Sequence, residues 1–295
     1  MNRPTVWLMA WLTLQGSGDS QAQTLSWFSD ANATNLTSSG APMDAGFIFE
    51  LGVFSGGFEP SAGSAALWLQ FWSPAQSASY NASNNLFTGS FAISDNSPPF
   101  VAGAKAWIFG RRASATGSEW ILCRASDWVW PEASNDPFQI GINWNAKDAT
   151  EVVLGTIHPS GSPFLMQSAA VQSYAQWQAT DLTEEPLDDP DDDPDLDGSS
   201  NLLEFVFGTD PGTANAPVAT PVALQSSHAV ITIPRGIDHL AILTVEVSGN
   251  LTDWNPVTDS TNILQDDAAA LVVRDPIPLG PANPRRFIRL KASLP

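Results

Sequence analysis

Gly46-Phe-Ile-Phe-Glu-Leu-Gly-Val-Phe54 puts Phe47, Phe49, Leu51 and Val53 on one side of an extended chain. A period of two is the pleat of a strand, in which successive side chains face opposite ways. Outward from it, residues 86–94 place Phe87, Phe91 and Ile93 on one face. Ile140, Ile142 and Trp144 alternate with Gly141 and Asn143. Residues 104–109, 120–124 and 152–157 read as further strands, separated by turn formers such as Asp95-Asn-Ser-Pro-Pro99 and Ser134-Asn-Asp-Pro137. Residues 65–72 are the exception: Leu67/Phe71 and Trp68/Trp72 recur at i,i+4 and predict a short helix. Short strands between polar turns predict an N-terminal β-sandwich over residues 23–180, in a mainly β chain.

Residues 218–295 predict a second, smaller β-sandwich-like unit. Residues 228–234 and 240–248 alternate, with Ile242, Thr244 and Glu246 opposite Leu243, Val245 and Val247. A turn at Gly249-Asn250 leads to Leu251-Thr-Asp-Trp254, whose Leu and Trp are expected to close one end of the core. Residues 270–274 and 286–291 supply two more strands. Arg285, Arg286, Arg289 and Lys291 read first as a charged edge strand that resists aggregation, and second as an anchor for acidic glycans.

The chain has 295 residues, 12 Lys+Arg and 31 Asp+Glu, for a formal charge of −19. A phosphate backbone or an anionic membrane surface needs a basic footprint, so nucleic acid and electrostatic membrane binding are excluded as expectations. Residues 181–210 hold 12 acidic residues and no Lys or Arg. Such a block repels itself unless a cation neutralises it. Residues 181–217 therefore predict an acidic linker between the two β units.

Arg3, the nine-residue apolar run 6–14 and small residues at Ser20 and Ala22 predict an export signal over residues 1–22, cut after Ala22. The run is half of the about 20 residues that span a bilayer, and no later segment is long and apolar enough, so a mature chain without a transmembrane segment is expected. Cys123, alone in Trp120-Ile-Leu-Cys-Arg124, reads as a small core hydrophobe.

Enzyme signals are weak. Glu50, Glu59, Glu119, Glu132 and Glu151 offer carboxylates for a glycosidase pair, but their separation is spatial and not readable here. His158, His228 and His239 stand far apart, and His158-Pro-Ser-Gly161 reads as a turn. Nine of the twelve tryptophans lie in residues 23–180. Trp128 and Trp130 share a strand face, either as core or as a sugar-stacking platform, and the core is the commoner use.

One register of Asp191-Asp-Asp-Pro-Asp-Leu-Asp-Gly-Ser-Ser-Asn-Leu-Leu-Glu204 stands apart. Counted from Asp193, acids fall at positions 1, 3 and 5 as Asp193, Asp195 and Asp197, with Gly198 at 6, Ser199 at 7, Asn201 at 9 and Glu204 at 12. Calcium takes six to eight oxygens, so alternate side chains must converge while glycine permits a sharp turn. Ser199 would give its carbonyl, Asn201 would bind directly or through water, and Glu204 would close the shell with both oxygens. Starting at Asp191 or Asp189 instead puts Leu or Pro at position 6. Pro190 and Pro194 deny the loop a leading helix, so a complete EF-hand is not expected. Only the exit is predicted helical, over 201–207, with Gly208 as its stop.

The stretch Asp193-Pro-Asp-Leu-Asp-Gly-Ser-Ser-Asn-Leu-Leu-Glu-Phe-Val-Phe-Gly-Thr-Asp-Pro211 resembles the calcium motifs of thrombospondin type 3 repeats and dockerin-like modules in exported bacterial proteins. It matches their D-x-D-x-D-G-x-x-N-x-x-E core and trailing Gly-Thr-Asp-Pro. The resemblance implies calcium ligation by Asp193, Asp195, Asp197, Asn201 and Glu204. One copy is present, where thrombospondin arrays have many and a dockerin has two, so neither cohesin pairing nor a calcium-wired stalk is expected. Residues 218–295 resemble the C-terminal β modules that follow such loops, a likeness that carries no activity with it. The expectation is a secreted or cell-surface, calcium-binding, non-catalytic protein for extracellular binding or adhesion to a protein or glycan. The alternative is a carbohydrate-active protein, a glycan-binding module or hydrolase, using the N-terminal sandwich.

Overall fold

A computed structural model describes residues 23–295 apart from 115–116, 135–139, 159–163, 184–185, 237–238 and 268. The expected export signal, part of the turn at 134–137 and most of the 158–161 motif lie outside the described residues. The fold is mainly β. In chain order the N-terminal unit contains β1 (Gln23–Phe28), β2 (Thr34–Leu36), β3 (Ile48–Phe54), β4 (Trp72–Ser79), β5 (Thr88–Ile93) and β6 (Ala106–Ala113). It continues with β7 (Ser118–Arg124), β8 (Ile142–Asn145), β9 (Glu151–Leu154), β10 (Thr156–His158), β11 (Leu165–Gln167) and β12 (Ala169–Val171).

The central sheet has the order β12-β7-β6-β3-β4, with β9 also paired to β7. Smaller sheets β5-β1-β8 and β10-β11-β2 accompany it. The face carrying Phe49, Leu51 and Val53 of β3 shares one core with Leu25 and Trp27 of β1 and Met166 of β11. The opposite face is also covered: Trp107, Phe109, Trp120 and Leu122 share a second core with Ala65, Trp68 and Trp72. Burial on both faces explains why β6 and β7 read as near-continuous apolar runs rather than clean alternations.

The helix expected over 65–72 is shorter and begins earlier. A 3-10 turn, Ala62–Leu67, runs into the single helical turn α1, Trp68–Phe71, and Trp72 already opens β4. Trp68 Nε1 donates to the Ser61 carbonyl at 3.1 Å, which anchors the turn. Trp72 Nε1 instead donates to the buried Glu50 carboxylate at 2.9 Å, which draws that residue into the sheet. The strand expected over 152–157 breaks at Gly155 (φ +82°), where a Cβ would lie 2.7 Å from the Gln167 carbonyl. Ile140 is 86% exposed, so the alternation around Trp144 extends one pair too far in the sequence reading. Cys123 is buried in the core, as expected.

Helix α2 (Tyr174–Asp181) ends this unit, and helix α3 (Asn201–Phe207) leaves the acidic linker. The C-terminal unit holds β13 (Val222–Gln225), β14 (His228–Pro234), β15 (Ile242–Ser248), β16 (Asn255–Pro256), β17 (Ile263–Asp266), β18 (Ala270–Arg274) and β19 (Phe287–Ser293). Its two sheets, β13-β14-β18-β17 and β16-β15-β19, meet over Ile231, Ile233, Val245, Leu271 and Val273. Leu251 does not close this core: it is exposed, with φ +65° in a tight turn. Trp254 lies under the Arg289 guanidinium, 4.0 Å from ring centroid to Cζ. β19 is an edge strand, as the charge cluster predicts. Arg286 is nevertheless structural, paired at 2.7 Å with the fully buried Asp275, and Arg289 pairs with Glu246.

Among the described residues the two units meet in several places, one of them a backbone bridge in which the Leu240 N–H donates to the Gln172 carbonyl at 2.8 Å. Phe205 and Val206 of α3 share a core with Tyr174 and Trp177 of α2 and with Ala241 beside β15. The Ala62–Leu67 turn also reaches across: Gly63, Ala66 and Leu67 line a cavity of about 200 Å³ with Leu243, Val245 and Leu271. At its rim Arg235 pairs with Asp266.

Candidate metal centre

Between α2 and α3 the described residues form no helix or strand, in keeping with Pro190 and Pro194. The reversal is made at Leu196 (φ +62°) and Gly198 (φ +95°), two left-handed residues around Asp197. Each aspartate carboxylate closes a local turn. Asp193 Oδ2 accepts the Gly198 N–H at 3.0 Å, Asp195 Oδ1 the Asp197 N–H at 3.1 Å, and Asp197 Oδ1 the Ser199 N–H at 2.7 Å. These bonds fold the loop so that carboxylate oxygens of Asp193, Asp195 and Asp197 all lie within 4.8 Å of one another.

Asn201 and Glu204 stand in the first turn of α3 and both are 0% exposed, while the group of carboxylate oxygens within 4.8 Å holds the three aspartates without Glu204. Asn201 Nδ2 donates to the carbonyls of Leu187 and Asp189 at 3.0 and 2.9 Å, fixing the amide so that Oδ1 is left over. Glu204 Oε1 accepts from Thr209 Oγ1 at 3.2 Å. Asp193 Oδ1, Asp195 Oδ2, Asn201 Oδ1 and Glu204 Oε2 are buried and have no hydrogen-bond partner. Buried polar atoms without partners are rare because each costs its full desolvation. Here four such oxygens belong to loop positions 1, 3, 9 and 12.

The electrostatics agree. Burial pushes the Glu204 carboxyl up to about 7; the Thr209 bond opposes this, and the charges of Asp195, Asp197 and Asp193 reinforce it. Asp195 is raised for the same first reason, burial. Asp197 is lowered, because the backbone N–H groups of Asn215 and Ser199 stabilise its charge. An all-oxygen donor set of three aspartates, one glutamate and one amide fits a hard divalent cation, and calcium in preference to softer metals. Ser199 is half-buried beside the three aspartates and enters the loop through its N–H.

Several participants are not evident from the loop spacing. Tyr174 Oη and Gln178 Nε2 on α2 both donate to the Asp188 carbonyl, at 3.3 and 3.0 Å. Asn215 donates its N–H to Asp197 Oδ2 at 2.8 Å. The signals were present: Ser173-Tyr-Ala-Gln176 is a capping box that starts α2, and Asp210-Pro-Gly212 is a turn former.

The alternative sites look different. Trp128 and Trp130 are 3% and 1% exposed, so they belong to the core and not to a stacking platform. Glu50 is held by Arg111, Glu119 by Ser38 and Ser168, Glu151 by Arg124 and Glu59 by Lys105. His228 Nδ1 lies 2.7 Å from the Asp275 carbonyl, and His239 packs on Phe205. Among the described residues no helix is long and apolar enough to cross a membrane. Comparison with protein-family models, curated proteins and solved structures finds no match to this chain.

Proposed function

We propose that this is a secreted, non-catalytic, calcium-binding protein for extracellular binding or adhesion, with its calcium loop at the joint between two β units. Asp193, Asp195, Asp197, Asn201 and Glu204 supply side-chain oxygens, and Ser199 supplies its carbonyl. The observation that carries the reading is the set of four buried, partnerless oxygens around three clustered carboxylates. Calcium offsets two of these negative charges and steadies the first turn of α3. Phe205 and Val206, on the following turn, hold α2 against the C-terminal unit. Ion binding and domain orientation are thereby linked.

Calorimetry with calcium tests the site, and limited proteolysis tests the link. Single extracellular calcium loops bind at ~10⁻⁴–10⁻³ M. Cleavage within residues 188–198 is expected with chelator and is expected to vanish with millimolar calcium. Equal cleavage in both states, with no heat of binding, would leave residues 181–217 as an acidic linker only.

A second reading, glycan binding by the N-terminal unit, has one supporting feature. An open surface cavity of about 820 Å³ is lined by Asp127, Asn143, Asp148 and Thr150 beside the edges of Trp128 and Trp144. Titration with neutral oligosaccharides, read by tryptophan fluorescence, tests it; an unchanged spectrum removes it.

A further inference from the structure

The segment after α3 is tied to the metal centre more closely than a linker requires. Asp210 organises it: Oδ1 accepts the Gly212 N–H at 3.0 Å, Oδ2 accepts Thr213 Oγ1 at 3.1 Å, and the Asp210 carbonyl accepts Asn215 Nδ2 at 3.2 Å. Pro211 is buried beneath this turn. The turn presents the Asn215 N–H to Asp197, while Thr209 reaches Glu204. Two of the proposed ligands, at positions 5 and 12, are thus held from downstream. The buried and partnerless oxygens of Asn201 and Glu204 mark the cluster as a ligand site independently of its acidity.

We propose that residues 209–215 are the outer half of the metal centre, a latch whose Asn215 N–H positions the Asp197 carboxylate for calcium. This rests on the calcium reading above. A carboxylate ligand has lone pairs enough to bind a cation and accept a backbone N–H together. Such outer partners fix ligand orientation and typically contribute 10–100-fold to metal affinity. Binding energies are reciprocal: if the latch tightens calcium, calcium tightens the latch by the same factor. Residues 216–221 lead directly from the latch into β13, so the ion restrains the C-terminal unit along the chain through the latch as well as through the packing of α3.

The test compares the full chain with Asn215→Pro, which deletes the donating N–H, and with Asn215→Ala, which keeps it. Asp210→Ala, which dismantles the turn without touching a ligand, is the second disrupting variant. Calorimetry gives calcium affinity, and hydrogen exchange gives protection of residues 209–217. Circular dichroism identifies variants that remain folded. Asn215→Pro is expected to weaken calcium about tenfold and to abolish the calcium-dependent protection of 209–217, with Asp210→Ala losing part of both. Asn215→Ala, which keeps the N–H and loses the Nδ2 bond to the Asp210 carbonyl, is expected to retain more of both than Asn215→Pro. If both disrupting variants bind calcium like the parent, and protection of 209–217 is the same with and without the ion, the latch is refuted while the calcium site stands. If the parent chain itself binds no calcium, the underlying reading fails first.

Discussion

Glu204 is the residue in which burial and charge conflict most directly. It is fully buried and faces three aspartates, so its carboxylate is costly unless a cation lies among them. Glu204→Gln keeps the volume and removes the charge. Calorimetry of this variant is expected to show no calcium binding, while its calcium-free melting temperature equals or exceeds that of the parent. Glu50 shows the opposite solution, since its buried carboxylate already has Arg111 and Trp72 as donors. Arg111→Ala leaves that charge short of a partner. Because Arg111 is 35% exposed and its pair partly screened, denaturant titration is expected to show a loss of about 2 kcal/mol. Cys123 is held neutral by burial, which pushes its thiol up to about 12. Maleimide at pH 8 is expected to leave the folded protein unlabelled and to add one label after denaturation.

At the scale of elements, α2 and α3 decide the joint. The Ser173–Gln176 capping box satisfies the first N–H groups of α2, so Ser173→Ala is expected to cost about 1 kcal/mol in thermal unfolding. Phe205 is fully buried against Tyr174 and Trp177, with centroids 5.5 and 5.6 Å away. Phe205→Ala opens a cavity between the units, and a loss of about 3–4 kcal/mol is expected from the transition that reports the joint. Among the strands that the sequence revealed best were His228–Pro234, with its alternation, and Ala270–Arg274, and the bounds of both match. Helix α3 and its left-handed Gly208 were equally legible, because a helical run and a C-terminal glycine coincide. Helix α2 was not, because Gln176, Gln178, Thr180 and Asp181 surround its two aromatics and no apolar stripe announces it. The Trp68–Trp72 spacing misled for a different reason: hydrogen bonds to Ser61 and Glu50, made across space, override the local period. Likewise the loop spacing marked the candidate ligands, but the contact between residues 197 and 215 is one that no local pattern encodes.

For the whole molecule, the calcium proposed above is expected to act as an organiser rather than a source of stability. At millimolar concentration and the affinity expected of such a loop, mass action contributes only about 1 kcal/mol. Each β unit has its own core, so chelation is expected to leave far-UV circular dichroism unchanged. Small-angle scattering is expected to show a larger radius of gyration, as the acidic linker repels itself and the joint loosens. Raising salt from 10 to 500 mM is expected to reverse part of that expansion, because screening weakens repulsion among carboxylates about 10 Å apart.

The Ala62–Leu67 turn gives the C-terminal unit a dependence that its sequence conceals. One end of that sandwich faces Gly63, Ser64, Ala66 and Leu67 of the other unit across the cavity, and a Cβ on Gly63 would collide with the Arg235 guanidinium. Residues 218–295 are therefore not an exchangeable cassette. Grafted behind an unrelated protein, they would arrive with the cavity beside Leu243 and Leu271 open to water.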